Sequence, residues 1–150
     1  MRQPARDMIR GLMAQENQRT PSQVVPVLVA ALICDTAAQD PSTRKKSLIG
    51  IFDRLFVAKY PVQRPMAFYV KVTDAVGWYR ISMKFVQTDS GQTLAEINAE
   101  VEFADRLGSQ DFIVQPPPLP IPAPGRYEFQ VWFNDVFLGA TFLDAVPRPS

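Results

Sequence analysis

The chain has 150 residues, 47% of them hydrophobic, with ten Phe, four Tyr and two Trp. That content is enough to bury the core of one domain and excludes a wholly disordered chain. Sixteen Lys and Arg against fifteen Asp and Glu leave a net charge of +1, so no long-range field selects nucleic acid, an anionic membrane or an acidic substrate. Histidine is absent and cysteine occurs once, at Cys34, which excludes an internal disulfide, ordinary zinc sites and histidine-activated nucleophiles.

Residues 1–23 read as an N-terminal arm. Ala5, Met8, Ile9, Leu12 and Met13 recur at helical spacing behind Pro4, which predicts a short amphipathic helix, weakened at Gly11. Its four arginines come with no apolar run, so the segment does not read as a secretory signal. The longest apolar stretch, Val24 to Cys34, contains Pro26 and is only about half the ~20 residues that span a bilayer. The expectation is a soluble cytoplasmic protein without membrane or nucleic-acid partners.

From residue 24 to residue 146 the period is that of strands, with 147–150 as a tail. "VVPVLVAALICD" and "SLIGIFDRLFVAKYP" are apolar on both parities, so each is expected to be covered on both sides, by the fold or by a partner. The linker between them, "TAAQDPSTRKKS", reads as a surface loop with Arg44, Lys45 and Lys46 in solvent. Met66, Phe68, Val70 and Val72 then alternate with more polar neighbours, as do Tyr79, Ile81, Met83 and Phe85, and Ile97, Ala99, Val101 and Phe103.

"TDSGQ" joins the last two of these runs. A three-residue Asp89-Ser90-Gly91 loop with Gly91 left-handed would set Met83 against Ile97 and Ile81 against Ala99 inside, and Lys84 against Glu96 and Arg80 against Glu100 outside. After the short strand "DFIV" comes "QPPPLPIPAPG", six prolines in eleven residues. Pinned between strands, it reads as an edge or sheet-crossing segment with Leu119 and Ile121 inward, not as a docking peptide. The closing hairpin turns at Asn134-Asp135, which predicts Phe133 against Val136, Val131 against Leu138, and Trp132 facing Phe137 on the outer side. The count is about eight strands, predicting an all-β, antiparallel Greek-key sandwich with the short N-terminal helix.

Little here carries chemistry. Cys34 lies in an apolar strand and reads as a small buried hydrophobe. The pairs Asp35/Asp40 and Asp105/Asp111 lack the regular pattern of a calcium loop and read as turn formers, and the seven glycines make no phosphate loop. No catalytic residue, metal ligand or cofactor is expected.

The strand ending in Cys34-Asp35, the segment Ile49-Gly50-Ile51-Phe52-Asp53 running on to Pro61, and the closing Gly125-x-Tyr127-x-Phe129 hairpin resemble a family of uncharacterised bacterial β-sandwich domains over residues 25–146. The resemblance implies the sandwich and carries no activity, cofactor or catalytic residue. The functional expectation is therefore a non-catalytic sandwich acting through protein association, a second copy of the chain being one candidate partner. Its interaction residues would be Trp132 and Phe137 on the sheet and Met8, Leu12 and Met13 on the arm. The alternative is a small-molecule or carbohydrate-binding module in which aromatic rings stack on the ligand beside an open polar groove.

Overall fold

The computed structural model describes residues 20–105 and 108–149. Its strands are β1 (Val27–Gln39), β2 (Lys46–Ile51), β3 (Arg54–Val57), β4 (Val62–Arg64), β5 (Ala67–Thr73), β6 (Gly77–Gln87), β7 (Gln92–Phe103), β8 (Ser109–Val114), β9 (Leu119–Ile121), β10 (Gly125–Phe133) and β11 (Val136–Pro147). A four-stranded sheet in the order β2-β1-β5-β8 packs on a five-stranded sheet in the order β3-β11-β10-β6-β7, and β4 pairs with β9 in a small third sheet. There is no helix among the described residues, and the one expected around Met8, Leu12 and Met13 lies outside them.

The β6–β7 hairpin has the expected register: Met83 pairs with Ile97, Ile81 with Ala99, Lys84 with Glu96 and Arg80 with Glu100. The route to that register differs from the expected one. The turn spans Thr88 to Gly91, with Gln87 against Gln92, and a bulge between Phe85 and Val86 restores the alignment. Gly91 is left-handed, at φ 70°.

The expected count of about eight strands becomes eleven. Two of the additions are the short partners β4 and β9, and β9 is the middle of the proline run, with Leu119 and Ile121 buried. The third arises because residues 47–58 are not one strand. The Phe52 amide bonds to the Ile33 carbonyl in one sheet, and the Asp53 carbonyl then accepts from the Asp144 amide in the other. The chain thus changes sheets at Phe52-Asp53. That switch makes β3 parallel to β11, where only antiparallel pairs were expected. The fold does not cover these strands on both sides, which leaves the other expected cover, a partner: Leu55 and Val57 are buried, but Ile49, Ile51 and Phe56 stay exposed, as do Val27 and Val29 on β1.

The loop between β1 and β2 is shorter than expected, because Thr36 to Gln39 continue the ladder against Lys46 to Ile49. Asp40 then closes the turn by accepting from the Ser42 and Thr43 amides and the Ser42 hydroxyl, which pulls its pKa down. Between the sheets, Phe68 of β5 stacks on Phe129 of β10 with ring centroids 3.7 Å apart, and Tyr79 packs edge-on against Phe103 and Phe133. Tyr127 donates to the Ala123 carbonyl at 2.6 Å, a tyrosine-corner arrangement that fixes the entry into β10.

Candidate functional site

The closing hairpin turns at Asn134 and Asp135, both left-handed, with Phe133 against Val136 and Trp132 against Phe137 as expected. One step further the expectation fails: Val131 pairs with Gly139, not Leu138, because a bulge adds a residue to β11. Register decides faces, since a one-residue shift turns every later side chain over. Here it sends Leu143 and Ala145 into the core and places Phe142 and Asp144 outside, opposite Glu128 and Arg126. The shift also sets Gly139 beneath Leu28, where any Cβ would overlap the leucine Cδ2.

The outer face of the five-stranded sheet is therefore divided. On β6 and β7 it carries the cross-strand Lys84/Glu96 and Arg80/Glu100 pairs. On β10, β11 and β3 it carries aromatic rings: Trp132 and Phe137 meet edge to face with centroids 5.3 Å apart, Phe142 follows along β11, and Phe56 sits on β3. Phe137, Phe142 and Phe56 are 49%, 43% and 57% exposed. Trp132 is more sheltered. The Lys84 ammonium lies 4.6 Å from its ring centre and its indole N–H donates to Gln130 Oε1 at 3.1 Å, while Gln130 in turn donates to Glu128. Arg126 lies 5.0 Å over Phe142 while pairing with Asp144 through two N–H donors.

The end of the arm reaches the hairpin turn: Asn134 donates to the Ser22 carbonyl at 3.0 Å, and the Ser22 amide donates to the Trp78 carbonyl. Met8, Leu12 and Met13 themselves lie outside the described residues.

Two of the segments that carry the family resemblance meet in one place. Cys34 pairs with Ile51, Asp35 lies opposite Gly50, and Asp35 accepts from Arg64 Nη2 at 3.0 Å while the Arg64 guanidinium lies 5.8 Å from the Phe52 ring centre. Cys34 is fully buried, as expected of a small hydrophobe, and burial followed by the Asp35 charge pushes its thiol pKa up. That the two segments share a ladder is not visible in the sequence. Asp35 reads there as a turn former and is a strand residue with a guanidinium partner.

Lys46 also departs from its expected place in solvent. Its side chain is 11% exposed and its ammonium pairs with Asp111, which also accepts from the Tyr69 hydroxyl at 2.8 Å. Burial opposes ionisation of Asp111, but the Lys46 and Tyr69 hydrogen bonds and the charges of Lys46 and Lys71 prevail and hold its pKa below the usual carboxylate range. Burial, then the bond to Asp111 and its charge, push Tyr69 up to about 12. Asp111 thus stabilises the fold above its unfolded pKa, and that stability fades as pH falls through the lower folded value. For Tyr69 the benefit is complete below its unfolded pKa of about 10 and is lost as pH rises toward 12. Asp111→Asn should abolish the acid-side effect, bring the Tyr69 pKa only part of the way down because burial remains, and lower stability by about 1–2 kcal/mol, read from unfolding midpoints at several pH values and from the tyrosinate absorbance titration.

Comparison with known proteins adds the family. The sequence matches a family of unknown function, DUF6941, over residues 29–145. The chain belongs to it. The DUF6941 match includes the Cys34-Asp35 ladder, the sheet switch and the closing hairpin, and it leaves out the N-terminal arm. No curated protein matches the sequence. Among solved structures, an immunoglobulin-like protein from Pseudomonas aeruginosa is similar at 12% identity with a TM-score of 0.35, covering 85% of this chain and 95% of that one.

Proposed function

We propose that this DUF6941 domain is a non-catalytic sandwich, its crossings at β5–β6 and β7–β8 fitting Greek-key connections, that acts through protein association on the outer face of the five-stranded sheet. The observation that carries the reading is the row of exposed rings, Phe137, Phe142 and Phe56, beside the Trp132/Phe137 pair. Rings half in water forgo roughly half of the ~1.5–3 kcal/mol that full burial gives, and a partner recovers it. A sugar-stacking role suits Trp132 less well, since its N–H is given to Gln130 and Lys84 covers its ring. The small-molecule alternative finds support elsewhere, in a cleft of about 490 Å³ between β6–β7 and β8, walled by Met83, Ile97, Val101, Phe112 and Val114.

The test is the mass of the folded chain in solution against concentration, by sedimentation and light scattering. The wild type should associate, and a Trp132→Ser/Phe137→Ser variant should move the equilibrium toward single chains by about tenfold or more. A chain beginning at Pro21 separates the sheet from the arm: association retained assigns the contact to the sheet alone, and association lost brings Met8, Leu12 and Met13 into it. If all three stay single folded chains and the double variant recovers the same native-host partners as the wild type, the reading fails.

A further inference from the structure

A second surface shares only Phe56 with that reading. Where the chain changes sheets, a cleft of about 340 Å³ opens between the edge strands β2 and β3, lined by Asp35, Ile51, Phe52, Arg54, Phe56 and Arg64. It is built from the family segments: Gly50 lacks the Cβ that would displace Asp35, and Asp35 turns Arg64 across Phe52.

The charges in this cleft do not balance. Two guanidiniums, Arg54 and Arg64, face one carboxylate, Asp35. Arg64 gives a single N–H to Asp35, and its Nε is buried with no acceptor among the described residues, while its side chain as a whole remains 40% exposed. A guanidinium has five N–H donors, and one held in this way is under-satisfied. Arg54 lies within electrostatic range of Asp144, but both Asp144 oxygens are already engaged by Arg126, at 2.8 and 3.2 Å. Asp53 precedes Arg54 in the chain and is not among the lining residues. The excess is one positive charge, flanked by the exposed apolar walls Ile51 and Phe56.

We propose that this cleft binds a monocarboxylate carrying an apolar tail. A carboxylate matches the planar guanidinium fork and cancels one charge, whereas a phosphate dianion would overshoot it. The tail lies on Ile51 and Phe56. Asp35 positions Arg64 and repels a head group that enters too deeply, so the ligand carboxylate sits between the outer N–H groups of Arg64 and Arg54. The same chemistry is offered by a small acid and by the free end of a peptide.

Sodium octanoate is the probe, titrated into the full chain at constant ionic strength and followed by calorimetry and by the NMR shifts of Ile51, Phe52 and Phe56. Octanoate should bind saturably at this cleft, with octan-1-ol and acetate each weaker by about tenfold or more. Arg54→Gln and Arg64→Gln should each weaken octanoate by about tenfold. Arg54 is on a short exposed edge, so its variant keeps the fold, checked by its thermal midpoint, even if Arg64→Gln loosens β4. A peptide ending in Leu-Phe, as free acid and as amide, distinguishes the sources: competition with octanoate by the acid alone adds a peptide terminus to the ligands, and competition by neither form restricts them to small acids. Equal binding of octanoate and octan-1-ol, octanoate binding unchanged in Arg54→Gln, or no saturable binding by the wild type overturns the proposal. Trp132→Ser/Phe137→Ser should bind octanoate as the wild type does, which separates this result from the Trp132/Phe137 contact.

Discussion

Phe129→Ala is expected to cost about 3–5 kcal/mol of folding stability, read as a lower denaturant midpoint at an unchanged slope. Phe129 is 1% exposed and stacks on Phe68 from the opposite sheet at 3.7 Å, so truncation removes a ring contact and opens a cavity between sheets that cannot close on it. Phe137→Ala is the control. That ring is half in solvent on the outer face, and its loss should change stability by no more than about 0.5–1 kcal/mol in the single chain. Similar losses in the two variants would mean that the Phe68/Phe129 stack is not the centre of the sandwich.

Gly50→Ala is expected to destabilise by about 2–3 kcal/mol, although it adds only a methyl group at an exposed edge. Gly50 sits at φ 71°, where an L-residue is strained by about 1–2 kcal/mol. Its new Cβ would also fall 2.9 Å from Asp35 Cγ and closer still to Oδ2, pushing the carboxylate off Arg64. The exposed ion pair itself is worth at most about 1 kcal/mol, so Asp35→Ala alone should be mild. The double-mutant cycle separates the terms: with Asp35 truncated to Ala only its Cβ stays close, at 3.1 Å, and Gly50→Ala should cost its backbone strain and little more. Full additivity of the two substitutions would show that the carboxylate and the glycine do not share the space.

Much of the fold was legible because side chains alternate on a strand and opposite charges prefer to face each other. The β6–β7 register followed from the Asp89-Ser90-Gly91 loop and agrees with the Lys84/Glu96 and Arg80/Glu100 charge pairs, and the outward Trp132/Phe137 pair followed from the Asn134-Asp135 turn. The proline run was legible as fold for a similar reason, since Leu119 and Ile121 are spaced to point one way and both are buried. Of the interaction residues, only Trp132 and Phe137 fall among the described ones, and they stand together as the pattern required.

Three register shifts, in the β1–β5, β6–β7 and β10–β11 pairs, and one sheet switch were not legible, and the β10–β11 shift and the switch shape the candidate sites. A bulge costs a single residue and leaves the alternation on either side intact, so no local pattern marks it; the one in β11 sets Gly139 against the tip of Leu28 on the facing sheet, which would have to move for a larger residue there. By reversing the parity beyond it, that bulge turns Phe142 outward and completes the aromatic row. The switch at Phe52-Asp53 is hidden likewise, because apolar residues on both parities read the same whether one strand is covered twice or two short strands serve different sheets. Lys46 and Asp111 are 65 residues apart, and only the packing of the β1–β2 hairpin toward β8 brings them together. The sequence by itself determined the all-β class, the two hairpins and the absence of histidine chemistry, because these depend on residue type and local period. The tertiary structure alone decided which rings reach solvent and which guanidiniums share a cleft, because those depend on how one sheet fits against the other.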